Sequence, residues 1–312
     1  AAPPLMSIVD RLFASVMPLV PRPIVRRLST RYIAGESIAD ALQAGAALQG
    51  ADYRVTYDIL GEAVADRAGV ETAAAEYEQL LQALIDQKLE RNLSLKPTQM
   101  GLDVSEDFCF EIVSRIAQRA RAHEAFVRFE MEDSPTVDAT LSVFDRLRAE
   151  YGGTVGCVLQ SMLHRTEDDA RRLVSIEQPL NVRLVKGIYV EPPEVAYQDG
   201  AEVNASYLRT LEILLDGGAF VAVASHDEAL IAGLHAYLDK NPDARERTEV
   251  QMLLGVREEL RQQVRASGLP VRVYVPYGTQ WYPYVVRRLR KNPKLATYAL
   301  TGLFRKREKM SS

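Results

Sequence analysis

The sequence predicts a (βα)8 barrel, an α/β fold in which eight parallel strands alternate with helices and close on themselves. Three observations support this fold. Short β-branched segments alternate with longer amphipathic ones, eight strand segments occur, and they recur at roughly thirty residues, the size of one βα unit. An open, doubly wound sheet is the alternative. The sequence has neither a GxGxxG after a predicted strand nor a GxxxxGK[ST] motif, which argues against a nucleotide-binding sheet of that kind.

The predicted strands are short and rich in β-branched residues, and the intervals between them have helical periodicity. The clearest helical intervals are 72–88, 136–150 and 201–217. The eight strands are YRVTYD (53–58), RNLSLK (91–96), FVRFEM (126–131), TVGCVLQ (154–160), NVRLVK (181–186), FVAVASH (220–226), TEVQML (248–253) and VRVYVP (271–276).

The first fifty residues have a different pattern and predict an N-terminal helical arm. Ile8, Leu12 and Val16 recur at four-residue spacing, and prolines then interrupt the periodicity. Ser37 precedes a run rich in Ala and Leu, as expected for a helix N-cap. We therefore predict two parts, the arm at 1–50 and a barrel domain that carries the function at 51–312.

Composition excludes several classes of protein. The 312 residues are 47% hydrophobic and 26% charged, as in an ordinary globular protein. Two cysteines cannot form a disulfide scaffold and suggest a reducing compartment, and a formal net charge of −4 argues against nucleic acid as a partner. No apolar run approaches the ~18 residues of a membrane span, and the first residues lack the pattern of a signal peptide.

The parity of the predicted strands places polar side chains inside the barrel. In the second strand Asn92, Ser94 and Lys96 share one face, opposite two leucines. In the third, Arg128 and Glu130 share the polar face. The apolar face should meet the helices, so the polar face should line the interior. Polar groups at the carboxyl ends of barrel strands are costly to bury and mark the usual place of an active site.

Lys186 ends the fifth predicted strand and has three interpretations. It could form a Schiff base, its ammonium could hold an anionic ligand, or it could be a salt-bridged structural lysine. Gly187 follows at once and lets a ligand approach the backbone, which favours a functional role. Arg183 has the opposite strand parity, so both cations reach one ligand only if the strand ends near Lys186.

Arg287 and Arg288 lie on a predicted helix with Tyr284 one turn earlier. Two guanidinium groups beside a tyrosine form a natural carboxylate clamp, because guanidinium binds carboxylate through two hydrogen bonds. The alternative is a solvated basic helix, since further basic residues follow.

Other reactive residue types show no pattern that points to chemistry. Ser225, His226 and Asp227 are consecutive and cannot form a catalytic triad on a strand, where neighbours face opposite ways. The histidines have no metal-binding spacing, so no metal site is expected. Cys109 and Cys157 fall in a predicted helix and strand and should be small core residues.

An ordered set of motifs resembles the proline dehydrogenase family, and it covers nearly the whole chain after the first fifty residues. Each motif is short, but their order is specific. The motifs are TYDILGE (56–62), LSLK (93–96), RFEMED (128–133), VLQS (158–161), RLVKGIYVEPPEVAY (183–197), ASHD (224–227), VQMLLG (250–255), RVYVPYG (272–278) and WYPYVVRRL (281–289). The resemblance implies a distorted (βα)8 barrel whose last helix sits over the barrel mouth, and a bound FAD.

The resemblance also implies roles for individual residues. Glu130 and Arg183 would be catalytic, with Arg183 near the reactive edge of the flavin, and Glu62 would pair with Arg287 to close the site over the substrate. The implied substrate-binding residues are Lys96, Tyr189, Leu253, Tyr274, Tyr284, Arg287 and Arg288. The implied FAD-binding residues are Met131, Gln160, Arg183, Lys186, Gly187, Ile188, Ser225, His226 and Gln251.

Four positions depart from the pattern usual in the family. Aspartate is usual at Glu130, a small residue at Ile188, often threonine at Ser225, and an acidic residue at Lys291. Because Lys96 ends the preceding strand and barrel strands lie ~5 Å apart, we expect Glu130 to stand beside Lys96 and keep that ammonium charged. We therefore favour the family's aspartate role for Glu130, which is to position the substrate lysine and the flavin. The alternative is that Glu130 is a structural partner of a nearby cation.

The resemblance implies oxidation of L-proline to pyrroline-5-carboxylate by hydride transfer from C5 to FAD, the first step of proline catabolism to glutamate. It further implies a quinone as electron acceptor, a separate pyrroline-5-carboxylate dehydrogenase downstream, and a cytoplasmic protein in peripheral contact with the inner face of the membrane. Three alternatives stay open: a Schiff-base aldolase using Lys186, another flavin-dependent barrel enzyme, and an inactive barrel acting as a sensor or scaffold.

Overall fold

Eight parallel strands close into a barrel, each pairing with the next in sequence and β8 pairing with β1. The computed structural model describes residues 30–61, 64, 66–282, 284 and 285. The predicted barrel is confirmed and the doubly wound sheet is wrong. The strands are β1 (Arg54–Ile59), β2 (Asn92–Leu95), β3 (Phe126–Phe129), β4 (Val155–Gln160), β5 (Asn181–Val185), β6 (Phe220–Ala224), β7 (Thr248–Leu253) and β8 (Val271–Tyr277).

Eight α-helices in the described part of the chain surround this barrel. They are α1 (Ile38–Gly50), α2 (Arg67–Asp86), α3 (Glu106–Ala122), α4 (Val137–Tyr151), α5 (Thr166–Val174), α6 (Gly200–Asp216), α7 (Glu228–Lys240) and α8 (Glu258–Ala266). Side-chain caps start several of them. Ser37 and Asp40 form a capping box at α1, as the sequence predicted for Ser37. Helix α2 begins five residues before the predicted start, because the Asp66 carboxylate caps Gly69.

The apolar faces of strands and helices meet in one continuous core. Val127 and Phe129 of β3 are fully buried on the outward face, while Arg128 points the other way into the barrel. Two helix tyrosines also tie the layers together. The hydroxyl of Tyr77 accepts from the Ile59 amide (3.2 Å) and donates to a β2 carbonyl, and Tyr207 donates to a β5 carbonyl.

Helix α1, at the end of the predicted arm, lies in the outer helical layer against β1 and β8. Gly45 permits this close approach, since a Cβ there would lie 1.9 Å from the Tyr57 hydroxyl. The boundary proposed at residue 50 stays a prediction, because residues 1–29 lie outside the described part.

An ionic network fills the amino-terminal end of the barrel interior. Arg272 on β8 binds Glu249 on β7 through two hydrogen bonds of 2.7 and 3.1 Å and reaches Glu90 at 2.6 Å. Arg54 adds a further contact to Glu249 at 3.2 Å. The Glu249 side chain is 2% exposed, and although burial alone would raise its pKa, the charge and hydrogen bonds of Arg272 lower it to about 2. This end of the barrel is therefore closed by charge pairs, and the opposite end holds the site.

Within the described residues, none of the helices combines the length and the apolar character that crossing a bilayer requires.

Candidate active site

Arg183 lies at the centre of a polar cluster inside the carboxyl-terminal half of the barrel. It starts from β5 and is 3% exposed. Its Nε donates to Gln251 Oε1 on β7 (2.6 Å), and its Nη1 donates to Ser94 Oγ on β2 (3.1 Å). Its guanidinium also lies 5.2 Å from the ring centroid of Tyr274 on β8. None of these three strands is adjacent to β5, so Arg183 can reach them only across the barrel interior. The polar faces of the strands therefore line the lumen, as predicted.

Glu130, one residue after β3, is the direct ionic partner of Arg183. Its carboxylate accepts hydrogen bonds from Arg183 and Ser94, and the Tyr274 hydroxyl stands 3.4 Å away. Burial would raise the pKa of Glu130, but the Arg183 charge and the Ser94 hydrogen bond outweigh it and the pKa is lowered. A glutamate ionised in this way offsets the buried guanidinium.

Lys96, which was expected to stand near Glu130, has a different carboxylate as its direct partner. Lys96 forms its ion pair with Asp58, the fifth residue of β1. Glu130 still acts on Lys96 through its charge, but its oxygens are engaged by Arg183 and Ser94. The Glu130 side chain reaches across the lumen to Arg183, and its role in positioning the substrate lysine and the flavin stays a prediction.

Lys186 follows the end of β5 and forms the third cation–carboxylate pair, with Asp227 at 2.5 Å. Asp227 also caps α7 by accepting from the Ala229 amide at 2.9 Å, so the pair is anchored to a helix. Although partial burial alone would raise the pKa of Asp227, hydrogen bonds from Lys186 and Asn204 lower it. The contact agrees with the interpretation of Lys186 as a salt-bridged lysine.

The segment after Lys186 brings backbone and apolar side chains to the rim of the barrel. Gly187 has φ +108°, and a Cβ there would lie 2.4 Å from the Met162 sulfur. Ile188 and Val190 are 56% and 91% exposed, and Tyr189 packs partly against the core. Gly187 therefore packs closely against Met162, and an unusually exposed apolar surface follows it at the rim.

The remaining predicted cofactor residues lie at the ends of β3, β4, β6 and β7. Their polar atoms already have protein partners: Gln160 donates to the Glu132 carbonyl, Ser225 accepts from the Asp227 amide, and His226 Nε2 accepts from the Leu253 amide. Gln251 bridges Arg183 and Glu249. Met131 is buried directly after β3.

The predicted substrate residues fall into a described and an undescribed group. Leu253 ends β7 and Tyr274 faces the lumen beside Arg183. Tyr284 packs on a small cluster that includes Leu60, just after β1, and acts on the pKa of Tyr274. Glu62, Arg287, Arg288 and Lys291 lie outside the described residues, so the clamp and the gate stay predictions.

The arrangement as a whole matches a known family. The family model described as proline dehydrogenase matches residues 41–297. The chain belongs to this family. Its members are oxidoreductases that act on a CH–NH group, and the protein is accordingly an enzyme of that class.

Individual relatives agree with this assignment. Proline dehydrogenase from Deinococcus radiodurans is 34% identical over 95% of this chain and 99% of its own length. Proline dehydrogenase 1 from Bacillus subtilis is 32% identical over 88% of this chain and 90% of its own. The fold also matches the crystal structure of proline utilization A from Bdellovibrio bacteriovorus inactivated by N-propargylglycine. The TM-score is 0.82 with 23% identity, covering 91% of this chain and 37% of that longer one.

Two carboxylates of this proline dehydrogenase site were missed by sequence reasoning. Asp58 lies in TYDILGE and Asp227 in ASHD, and both motifs were noticed only as resemblance. The parity of β1 contains the missing signal for Asp58, since it shares a face with Thr56 and points inward like the polar residues of β2. Asp227 precedes a helix, which is a signal for a cap but not for a lysine partner.

Two other expectations concern metals and thiols. Among the described residues no group of three or more His, Cys, Asp or Glu side chains could hold a metal ion. Cys109 and Cys157 are buried and unpaired, as predicted for core residues, and burial raises the pKa of each to about 12.

Proposed function

We propose that the protein oxidises L-proline to pyrroline-5-carboxylate with FAD as cofactor, the first step of proline catabolism to glutamate. Family membership supports the substrate and the reaction class. The carboxyl end of the barrel holds three buried or half-buried cation–carboxylate pairs, which supports placing a charged substrate there beside an electron acceptor. FAD, when bound, supplies the acceptor at flavin N5 for the hydride that leaves proline C5.

The residues of the site fit a flavin. Arg183 Nη2 is buried and makes no hydrogen bond to the described residues, so it has a donor left for a ring oxygen or nitrogen of a cofactor. Gly187 follows Lys186 with a positive φ that other residues rarely adopt, and exposed Ile188 after it offers a ring system an apolar contact. Lys186, at the rim, suits the diphosphate. The guanidinium of Arg183 would favour negative charge that develops on the ring.

Substrate binding is proposed to rest on three cations, Lys96 together with Arg287 and Arg288. The amine of proline must be neutral for its lone pair to assist loss of the C5 hydride, and a cationic site favours loss of the ammonium proton. Tyr274 stands over Arg183 and limits the space for the ring. Tyr189, Leu253 and Tyr284 are proposed to complete the pocket and exclude water.

Glu130 is proposed to act through Arg183. It fixes the guanidinium in place from one side while Gln251 holds it from the other. A guanidinium held at both ends costs little reorganisation when charge develops next to it.

We further propose a quinone as the final electron acceptor, a separate pyrroline-5-carboxylate dehydrogenase as the downstream partner, and peripheral contact with the inner face of the cell membrane by a cytoplasmic protein. These details rest on the resemblance to the family.

The observation that carries the FAD proposal is the buried Nη2 of Arg183, a donor that has no hydrogen-bond partner among the described residues. The purified protein should be yellow, should bleach anaerobically on adding L-proline, and should release free FAD on heating because the cofactor is not covalently held. Arg183→Met should weaken flavin retention, whereas Arg115→Met, on the outer surface, should not. A folded protein that cannot be loaded with flavin would refute the proposal, as would borohydride trapping of substrate on Lys186.

A further inference from the structure

We propose that Asp58 is a positioning residue for substrate binding, because it orients the Lys96 ammonium towards the barrel mouth. This inference rests on the proposed function, in which Lys96 binds the carboxylate of proline. Asp58 is fully buried, so it would act on the substrate through Lys96 and not by direct contact.

The pair is asymmetric in its exposure. The side chain of Asp58 is 1% exposed and that of Lys96 is 19% exposed, so Lys96 is the member of the pair that a bound substrate can reach. The β1–β2 register places Asp58 opposite Ser94, two residues before Lys96. Lys96 thus lies just after the end of β2, and its side chain contacts the carboxylate of Asp58 on the neighbouring strand β1. Burial raises the pKa of Asp58, but the Tyr274 hydroxyl also acts on this carboxyl, and its hydrogen bond lowers the pKa.

The backbone on both sides of the pair is fixed. Asp58 belongs to a strand paired with β2 and β8. Just after Lys96, the amide and hydroxyl of Thr98 donate to the Glu132 carboxylate at 2.8 and 2.9 Å. The side-chain torsions of Lys96 are the remaining freedom, and the contact with Asp58 limits them. A fixed lysine loses less entropy on binding substrate than a free one.

Other charged groups near Lys96 have different partners. Glu130 is bound by Arg183, and Glu132 is bound by Thr98, while the Tyr274 hydroxyl faces Asp58. Burial alone would lower the pKa of Lys96, but Asp58 most strongly, then Glu130 and Glu132, raise it. Asp58 is therefore the contact that both aims the ammonium and keeps it protonated.

The kinetic test uses the full chain with Asp58→Asn, Lys96→Met and the double variant. We expect Asp58→Asn to raise KM for L-proline roughly 10- to 100-fold with a much smaller change in kcat, because a charged contact in the substrate site is lost. The increase should grow as pH rises, since Lys96 then loses its proton sooner. In the Lys96→Met background the same change should alter KM less than about twofold. Equal effects in both backgrounds would refute the proposal, as a purely structural role predicts.

A second test does not depend on activity. Lysines are acetylated at a series of pH values and the extent at Lys96 is measured by mass spectrometry, with exposed Lys88 as the internal control. In the wild type the midpoint for Lys96 should lie above that for Lys88, and Asp58→Asn should lower the Lys96 midpoint without moving that of Lys88. Equal wild-type midpoints, or no shift in the variant, would overturn the inference. Asp58→Ser takes the place of Asp58→Asn if the latter does not fold.

The two hypotheses fail separately. If the wild type does not oxidise proline, the proposed function is wrong, and the acetylation midpoints still report whether Asp58 controls Lys96. If the wild type oxidises proline but neither KM nor the midpoint responds to Asp58, the function stands and the positioning role is wrong.

Discussion

Replacing Glu130 by glutamine tests the central ion pair of the site. The variant keeps the size of the side chain and one acceptor oxygen but removes the charge that offsets buried Arg183. The wild-type carboxylate accepts from Arg183 and Ser94, and its pKa is lowered by both, so it is ionised at neutral pH. A charge-assisted hydrogen bond contributes roughly 1.5–3 kcal/mol, so kcat/KM for L-proline should fall about 10- to 150-fold.

The assay combines initial rates with an artificial dye acceptor and urea unfolding monitored by circular dichroism. The free energy of unfolding should fall by a similar ~1.5–3 kcal/mol, because Arg183 keeps its bond to Gln251. Glu130→Asp should retain activity if the extra methylene is only a local variation. Full activity in a folded Glu130→Gln variant would refute the reasoning and leave Glu130 a packing residue.

Glu90→Gln is the matched control for this experiment. Glu90 also pairs with a lumen arginine, Arg272, but at the amino-terminal end of the barrel. The same chemical change there should reduce the free energy of unfolding and leave kcat/KM unchanged. If both variants lost activity in parallel, the effect of Glu130 would be one of general stability and not of its position at the site.

Three further predictions follow from other parts of the molecule. The pKa of Glu249 falls from an ordinary 4.5 to about 2 on folding, so its ionised form stabilises the fold by roughly 3 kcal/mol above pH 4.5, and this contribution is lost as pH falls towards 2. In Glu249→Gln the free energy of urea unfolding should therefore depend less on pH between 4.5 and 2. The same pH dependence in the variant and the wild type would contradict this. Cys109 and Cys157 are buried thiols with pKa about 12, so Ellman's reagent should label neither in the native protein at pH 8 and both in urea; fast native labelling would show that the helix or the strand opens. Arg288→Met should raise KM for proline about 10- to 150-fold with normal stability, and a wild-type KM would make its helix a surface element.

The strands and the side of the barrel that each residue faces could be predicted from the sequence. All eight predicted strands agree with the observed bounds to within two residues. Strand parity also assigned Ser94 and Glu130 to the interior, where the structure has them. Both predictions depend only on a local periodicity of two, which strand geometry imposes whatever the rest of the chain does.

The pairing of charges inside the barrel could not be predicted in the same way. Parity predicts that Glu130 and Lys96 face the lumen but does not predict which charged side chain each of them contacts. The sequence argument used the ~5 Å spacing of neighbouring strands and assigned Glu130 to Lys96. The lumen is narrow enough for a long side chain to cross it, so Arg183 reaches Glu130 from β5, and Lys96 pairs with Asp58 from the other side. The length and rotamer of each side chain decide which partner it contacts, and neither property can be inferred from the alternating pattern of a strand.

The charge balance of the site has a consequence for substrate binding. Lys96, Arg183 and Lys186 each have a carboxylate of their own, so these three pairs have no net charge to offer an anion. Binding proline as a carboxylate needs additional positive charge, which is what the proposed clamp of Arg287 and Arg288 would supply. The paired cations then contribute to the orientation of the substrate, because a cation held by a neighbouring carboxylate is already positioned before the substrate binds. Affinity is therefore expected to depend most on the clamp, and orientation on the buried carboxylates beneath the mouth.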